Sequence, residues 1–192
     1  VKLLTLARDL KRRKARERHG LFVAEGVRTV EALLASPVAV RGLLLADGAD
    51  RDPRTDALRA EAERRGVPAV TVAEREFADA ADTDSPQGIL ALAEIPRWAP
   101  EDLPARPVTL VLDAVQDPGN VGTILRSAAA LGVGVTIALP GTVDVWNAKV
   151  VRSAMGALFT HPVVPFAWDE AVRWMAERDV ALWVADTGGE LL

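Results

Sequence analysis

Val111-Leu-Asp-Ala-Val-Gln-Asp-Pro-Gly-Asn-Val-Gly-Thr-Ile-Leu-Arg-Ser-Ala-Ala-Ala-Leu-Gly132 is the stretch whose reading decides the fold. It overlaps an apolar run from Val108 to Leu112 that reads as a strand, passes through a polar loop, and enters a helix predicted over Val121 to Leu131 and stopped by Gly132. Pro118 and Gly119 shape a tight turn, Asn120 occupies the expected N-cap, and Arg126 falls about two turns into the helix. Open α/β sheets place ligands at the loops on the C-terminal ends of their parallel strands, so this loop is where chemistry is expected.

The alternation continues in both directions. Downstream, Gly134 to Leu139 is a predicted strand and Asn147 to Leu158 a helix, followed by a strand, a helix and a strand over Val163 to Phe166, Glu170 to Arg178 and Val180 to Ala185. That repetition predicts a mostly parallel sheet covered by helices. Upstream, Leu3 to Arg18 reads as one helix stopped by Gly20, Leu21 to Ala24 as a strand, Val27 to Leu34 as a helix broken by Pro37, and Val40 to Ala46 as a buried strand. A helix from about Arg54 to Arg65, a strand over Ala69 to Val72, a helix over Glu74 to Ala80 and a strand over Gly88 to Ile95 complete a small α/β sandwich. Between the two halves, Pro96 to Pro107 holds four prolines in twelve residues, which suits an extended connection. The expected organisation is a first domain over 1–96, a linker over 97–107 and a second domain over 108–192.

Composition narrows the function classes. A chain of 192 residues, 49% of them hydrophobic, can build ordinary cores, so it is globular. With no cysteine there is no disulfide, thiolate nucleophile or cysteine-based zinc site, and two isolated histidines, His19 and His161, give no basis for a metal centre. The net charge of −4 favours no partner, but the first 28 residues carry nine Lys or Arg against three acids. Within them Lys11, Arg12, Arg13, Lys14, Arg16 and Arg18 form a candidate phosphate-binding run, with a solvated helix face as the alternative. Nowhere do eighteen apolar residues run together and the N-terminus has no signal-peptide core, so a cytoplasmic protein without membrane contact is expected.

Taken alone, Asn120 is a cap and Arg126 a solvated helix charge, while Lys149 to Leu158 is an amphipathic helix with Val150, Val151, Ala154 and Leu158 in the core. A dinucleotide site is disfavoured because G-x-G-x-x-G is absent. The combined pattern D-x-x-x-D-P-x-N-x-G-x-x-x-R-x-A-x-x-x-G, running from Asp113 through Asp117, Pro118, Asn120, Gly122, Arg126 and Ala128 to Gly132, resembles the first motif of the SpoU-type (TrmH-like) RNA ribose 2′-O-methyltransferases of the SPOUT superfamily. Lys149-Val-Val-Arg-Ser-Ala-Met-Gly156 is similar to that family's K-x-x-R-x-S/A-x-G segment. Phe22-Val-Ala-Glu-Gly26 and Ser85-Pro-Gln-Gly-Ile-Leu-Ala91 resemble the substrate-binding domain attached to many members, a small α/β fold like those of kink-turn-binding ribosomal proteins.

The resemblance implies an RNA-binding domain followed by a domain of the trefoil-knot methyltransferase type, acting on a ribose 2′-hydroxyl with S-adenosylmethionine as cofactor. It assigns Arg126 to the reacting ribose and its neighbouring phosphate, and Asn120 to orienting the ribose or the arginine. A guanidinium stays protonated, so clamping and orientation are expected of Arg126 rather than proton abstraction. Lys149 and Arg152 join the N-terminal basic run as RNA contacts, and Asp186 and Thr187 are the expected cofactor residues. Family members continue into a G-N-E-G loop and a serine- and asparagine-containing segment that form the knot and most of the cofactor pocket. The sequence to Leu192 contains neither, so a form lacking the C-terminal knot segment is expected. The implied partners are RNA, ribosomal ahead of transfer RNA, and a second subunit in a homodimer anchored near Trp146 and Trp168. The alternative is a non-catalytic RNA-binding or ribosome-associated module with the same fold.

Overall fold

The computed structural model describes residues 2–99, 103–104 and 108–185. Its first half opens with helices α1 (Lys2–Asp9) and α2 (Arg13–His19), followed by β1 (Leu21–Glu25), α3 (Val27–Leu34), β2 (Val40–Ala46), α4 (Pro53–Arg64), β3 (Ala69–Val72), α5 (Glu74–Ala80) and β4 (Ile89–Glu94). The strands form one sheet in the order β1-β4-β2-β3, antiparallel except for the parallel pair β2 and β3. Side chains on a strand alternate between faces, and here both faces are covered. Leu43, Leu45, Phe22, Ala24, Ile89 and Ala91 enter one core, whereas Leu44, Val23, Leu90 and Leu92 enter another with Leu4, Ala7 and Phe77. That is why β2 and β4 read as unbroken apolar runs instead of alternating ones.

The second half contributes β5 (Thr109–Leu112), α6 (Pro118–Ala130), β6 (Val135–Ala138), α7 (Ala148–Ser153), β7 (Val163–Pro165) and α8 (Trp168–Ala176). Its strands form an entirely parallel sheet in the order β5-β6-β7, as the alternating pattern predicts. One face packs on α8 through Ile137, Val164, Trp174 and Met175. Toward α6 and α7, Leu112 and Val163 share with Val121, Leu125 and Val150 the same core that holds Phe22 and Leu33 of the first half. The two sheets are therefore joined by continuous apolar packing. Its centre is aromatic, with Phe22 4.8 Å from Trp146 and 5.8 Å from Phe159 between ring centroids. In the connection, Leu103 is buried and Trp98 packs with it in the core under α8.

Three expectations change. The helix over Leu3 to Arg18 is two helices, because Arg12 is extended (φ −89°, ψ 131°) and the Arg16 guanidinium turns back to donate to the carbonyls of Leu10 (2.7 Å) and Lys11 (2.8 Å). Those carbonyls lie just beyond α1, where helix-end acceptors lack helical partners. The helix over Asn147 to Leu158 is cut after Ser153, since Met155 and Gly156 take positive φ (51° and 94°), and a 3-10 turn over Ala157–Phe159 follows. Val180 to Ala185 forms no strand. Val180 still packs under α8, but Leu182, Trp183 and Val184 are 51%, 75% and 75% exposed, so among the described residues no neighbouring ladder holds the alternation there.

Candidate functional site

Asp117, rather than Asn120, caps α6. Its backbone is extended (φ −75°, ψ 120°) and its Oδ1 accepts the Asn120 N–H at 2.7 Å, while Pro118 takes the first helical position, where a missing N–H costs nothing. Both residue types cap helices equally well, so the correction comes from the earlier start of the helix. Asn120 thereby sits inside the first turn with its side chain exposed, and Arg126, further along α6, is exposed with no ion pair among the described residues.

The loop before the cap is pinned by the loop after β6. Thr142 Oγ1 donates to the Leu112 carbonyl (3.0 Å) and the Val143 N–H to the Val115 carbonyl (3.0 Å). Ala114 takes a positive φ of 52°. Gly141, itself at φ 92°, comes so close that a Cβ there would lie 3.2 Å from the Ala114 Cβ.

Gly122 explains why the two sequence motifs go together. A Cβ on it would lie 2.5 Å from the Ser153 Cβ and 2.8 Å from the Val150 carbonyl, so α6 and α7 touch backbone to backbone. Asn147 caps α7 by accepting the Lys149 N–H at 2.9 Å, which leaves the Lys149 side chain exposed. Arg152 is drawn inward instead, 3.7 Å from Asp82 and 4.0 Å from the buried Glu25 of the first half. Glu25 also accepts the Asp82 N–H (2.7 Å) and the Thr83 hydroxyl, fixing the loop that faces Arg152.

The N-terminal basic run divides. Lys11, Arg12, Arg13, Lys14 and Arg18 are exposed, although Arg12 and Arg18 share Asp9 and Arg13 pairs with Glu17. Arg16 is a correction: only 5% exposed, it binds Asp144 Oδ2 through Nε (3.0 Å) and Nη2 (2.6 Å) and cannot face a phosphate. Trp146 is another, since it is buried against Phe22 and is not a subunit anchor, whereas Trp168 is half exposed. Asp186 and Thr187 lie outside the described residues. His161 is buried, with Nε2 2.8 Å from Thr136 Oγ1, and desolvation pushes its pKa down.

A cavity of about 850 Å³ lies on the other side of the 139–147 loop, at the ends of β6 and β7, and neither Asn120 nor Arg126 lines it. Three guanidiniums, Arg13, Arg16 and Arg97, meet its two carboxylates, Glu17 and Asp144, and both carboxylates are already bridged. It therefore presents no unpaired carboxylate among its described lining residues.

Residues 4–91 match the MRM3-like substrate binding domain and residues 107–192 match the SpoU rRNA Methylase family. The chain is 34% identical to the 23S rRNA (guanosine(2553)-2'-O)-methyltransferase RlmP of Bacillus subtilis over 82% of its own length, spanning 59% of that relative. It is 34% identical to the 23S rRNA (guanosine-2'-O-)-methyltransferase RlmB of Pectobacterium atrosepticum over 86% of its length and 70% of that protein. The solved SpoU methyltransferase AviRb from Streptomyces viridochromogenes, in complex with AdoMet, superposes with a TM-score of 0.79 at 27% identity, over 93% of this chain and 68% of that one.

Proposed function

Since the chain belongs to the SpoU rRNA methylase family, we propose that it transfers the methyl group of S-adenosylmethionine to a ribose 2′-hydroxyl of ribosomal RNA. The observation that carries this reading is the pairing of exposed Asn120 and Arg126 on α6 with exposed Lys149 on α7, two helices locked together at Gly122. When bound, S-adenosylmethionine supplies an electrophilic methyl group, and the chain's own residues must then position a weakly acidic hydroxyl against it. Arg126 clamps the phosphate beside the reacting ribose with its planar fork and holds the hydroxyl in line. Asn120 orients the ribose, and its backbone is held for that by Asp117. Lys149 adds a point charge for a neighbouring phosphate, as do Lys11, Arg12, Arg13, Lys14 and Arg18 on the first half.

In this reading residues 1–96 select the RNA and 108–192 carry the reaction, with 97–107 between them. A cytoplasmic homodimer completes the proposal, its contact including the exposed Trp168 and Val172 of α8. Among the described residues no helix is long and apolar enough to cross a membrane. The test is incubation of the intact protein with methyl-labelled S-adenosylmethionine and total RNA, followed by nucleoside analysis. Label on ribose 2′-oxygens of ribosomal RNA is expected, and label confined to bases, or no label on RNA, overturns the proposal.

A further inference from the structure

The 850 Å³ cavity is not alone. A second one, of about 570 Å³, lies against it, and the two share Gly20, Ile95, Pro96, Arg97 and Trp98. Together they make a groove between the halves of the molecule, lined by neither Asn120 nor Arg126, with the segment leaving β4 common to both cavities. Arg97 is exposed and has no ion pair among the described residues, and one of its guanidinium nitrogens lies over Gly20 at the end of α2. The exposed guanidinium of Arg13 lines the first cavity and the partly exposed imidazole of His19 lines the second. Trp98 is half-buried against the core under α8, and its indole nitrogen is wholly buried, so what it presents to the groove is ring carbon. The remaining walls mix Val163, Phe166 and Phe159 with residues of the 138–146 segment.

A flat apolar ring beside an unpaired guanidinium, in a groove whose carboxylates are already bridged, suits a ligand that combines a planar base with a negative phosphate. Cationic ligands find no free carboxylate there. Cavities of this size admit unpaired bases and their phosphates but not a stacked duplex, whose bases are covered on both faces. We infer that the groove along Arg97 and Trp98 binds a single-stranded stretch of the RNA substrate, with a base against the Trp98 ring and its phosphate on Arg97. This rests on the RNA reading above and adds a second contact region, one that neither Asn120 nor Arg126 lines.

The experiment measures binding of the intact protein to a ten-nucleotide single-stranded RNA and to a hairpin stem of equal length, for the wild type, Arg97→Ala and Trp98→Leu. Trp98→Leu keeps apolar volume under α8, and a thermal melt of each variant accompanies the titration. Arg97→Ala alters only an exposed side chain, so it tests the groove even where Trp98→Leu is destabilised. Single-strand affinity is expected to fall about tenfold in both Arg97→Ala and Trp98→Leu, with stem affinity much less changed. Wild-type RNA binding that Arg97→Ala leaves intact overturns the groove while leaving the RNA reading standing. Equal losses for single strand and stem overturn its single-strand preference, and a wild type that binds neither RNA overturns both readings together.

Discussion

Arg16 and Arg126 are arginines on helices of the same chain, and they have opposite fates. Arg16 lies at the seam between the two sheets, almost without exposure, and satisfies Asp144 together with the carbonyls of Leu10 and Lys11. Arg126 stands on the outer face of α6 with no ion pair among the described residues. A buried charge must be matched by fixed acceptors or it costs several kcal/mol, whereas an exposed one contributes little to folding and is free to act on a ligand. The seam is thus a structural device, the α6 face is the proposed chemical one, and variants should separate them.

The largest effect is expected at the seam. Arg16→Ala leaves Asp144 partly buried without its partner and strips two carbonyls of their donor, so it should cost about 3–5 kcal/mol in urea unfolding. Asp144→Ala on top of it should cost less than the sum of the two single changes, because the uncompensated carboxylate is then gone. Additive losses would dissolve the seam as a coupled unit. A smaller loss, about 1–3 kcal/mol, is expected for Gly122→Val, whose side chain would be driven into the Ser153 Cβ and the Val150 carbonyl. That variant should lose methyl transfer as well, since α6 must lift off α7 to make room. Unchanged stability would show that the two helices have slack and that Gly122 does not set their spacing.

Acid should reveal a weaker effect in the sheet itself. Burial holds His161 below its ordinary pKa of 6.5, so the unfolded chain takes up the proton first. Its contribution is complete above 6.5 and is lost as the pH falls toward and through the lower folded value. The stability difference between wild type and His161→Gln should therefore shrink between about pH 7 and 5. A constant difference across that range would mean that the imidazole charges in place, beside Thr136.

How far the sequence reveals this division depends on how far away each cause lies. The bounds of α3, β2, β3 and α5 are those expected, because Gly26, Pro37 and Gly66 mark helix and strand ends locally. The motif loop and the Lys149 segment are likewise legible as patterns, but that their helices touch, and the reason for the glycine, appear only when Ser153 is seen against Gly122. Arg16 could not be told from Arg12 or Arg18 by its surroundings, since its partner is 128 residues away. The break between α1 and α2 has a nearer cause, the same side chain turning back on the Leu10 and Lys11 carbonyls where Arg12 is extended. Trp146 reads as a surface anchor in the sequence because its partner, Phe22, lies in the other half. The first residue of α6 differs from the expected one for a local reason, as Asp117 and Asn120 compete on equal terms for one cap.

The smallest expected change in stability belongs to Arg126, and there it must coincide with the largest change in activity if the division between seam and site holds. Arg126→Ala removes an exposed guanidinium that no described residue pairs with, so its unfolding free energy should stay within about 0.5 kcal/mol of the wild type. Single-turnover methyl transfer should nevertheless be mostly lost, because nothing else on the α6 face offers a planar fork to the phosphate and hydroxyl of the reacting nucleotide. Arg126→Lys keeps the charge and the helix propensity but not the fork, so it separates geometry from electrostatics and should also fail. Recovery of activity in the lysine variant would reduce Arg126 to a phosphate-attracting charge. Activity retained in both variants, or a loss of stability large enough to explain the lost activity, would return Arg126 to the same class as Arg16.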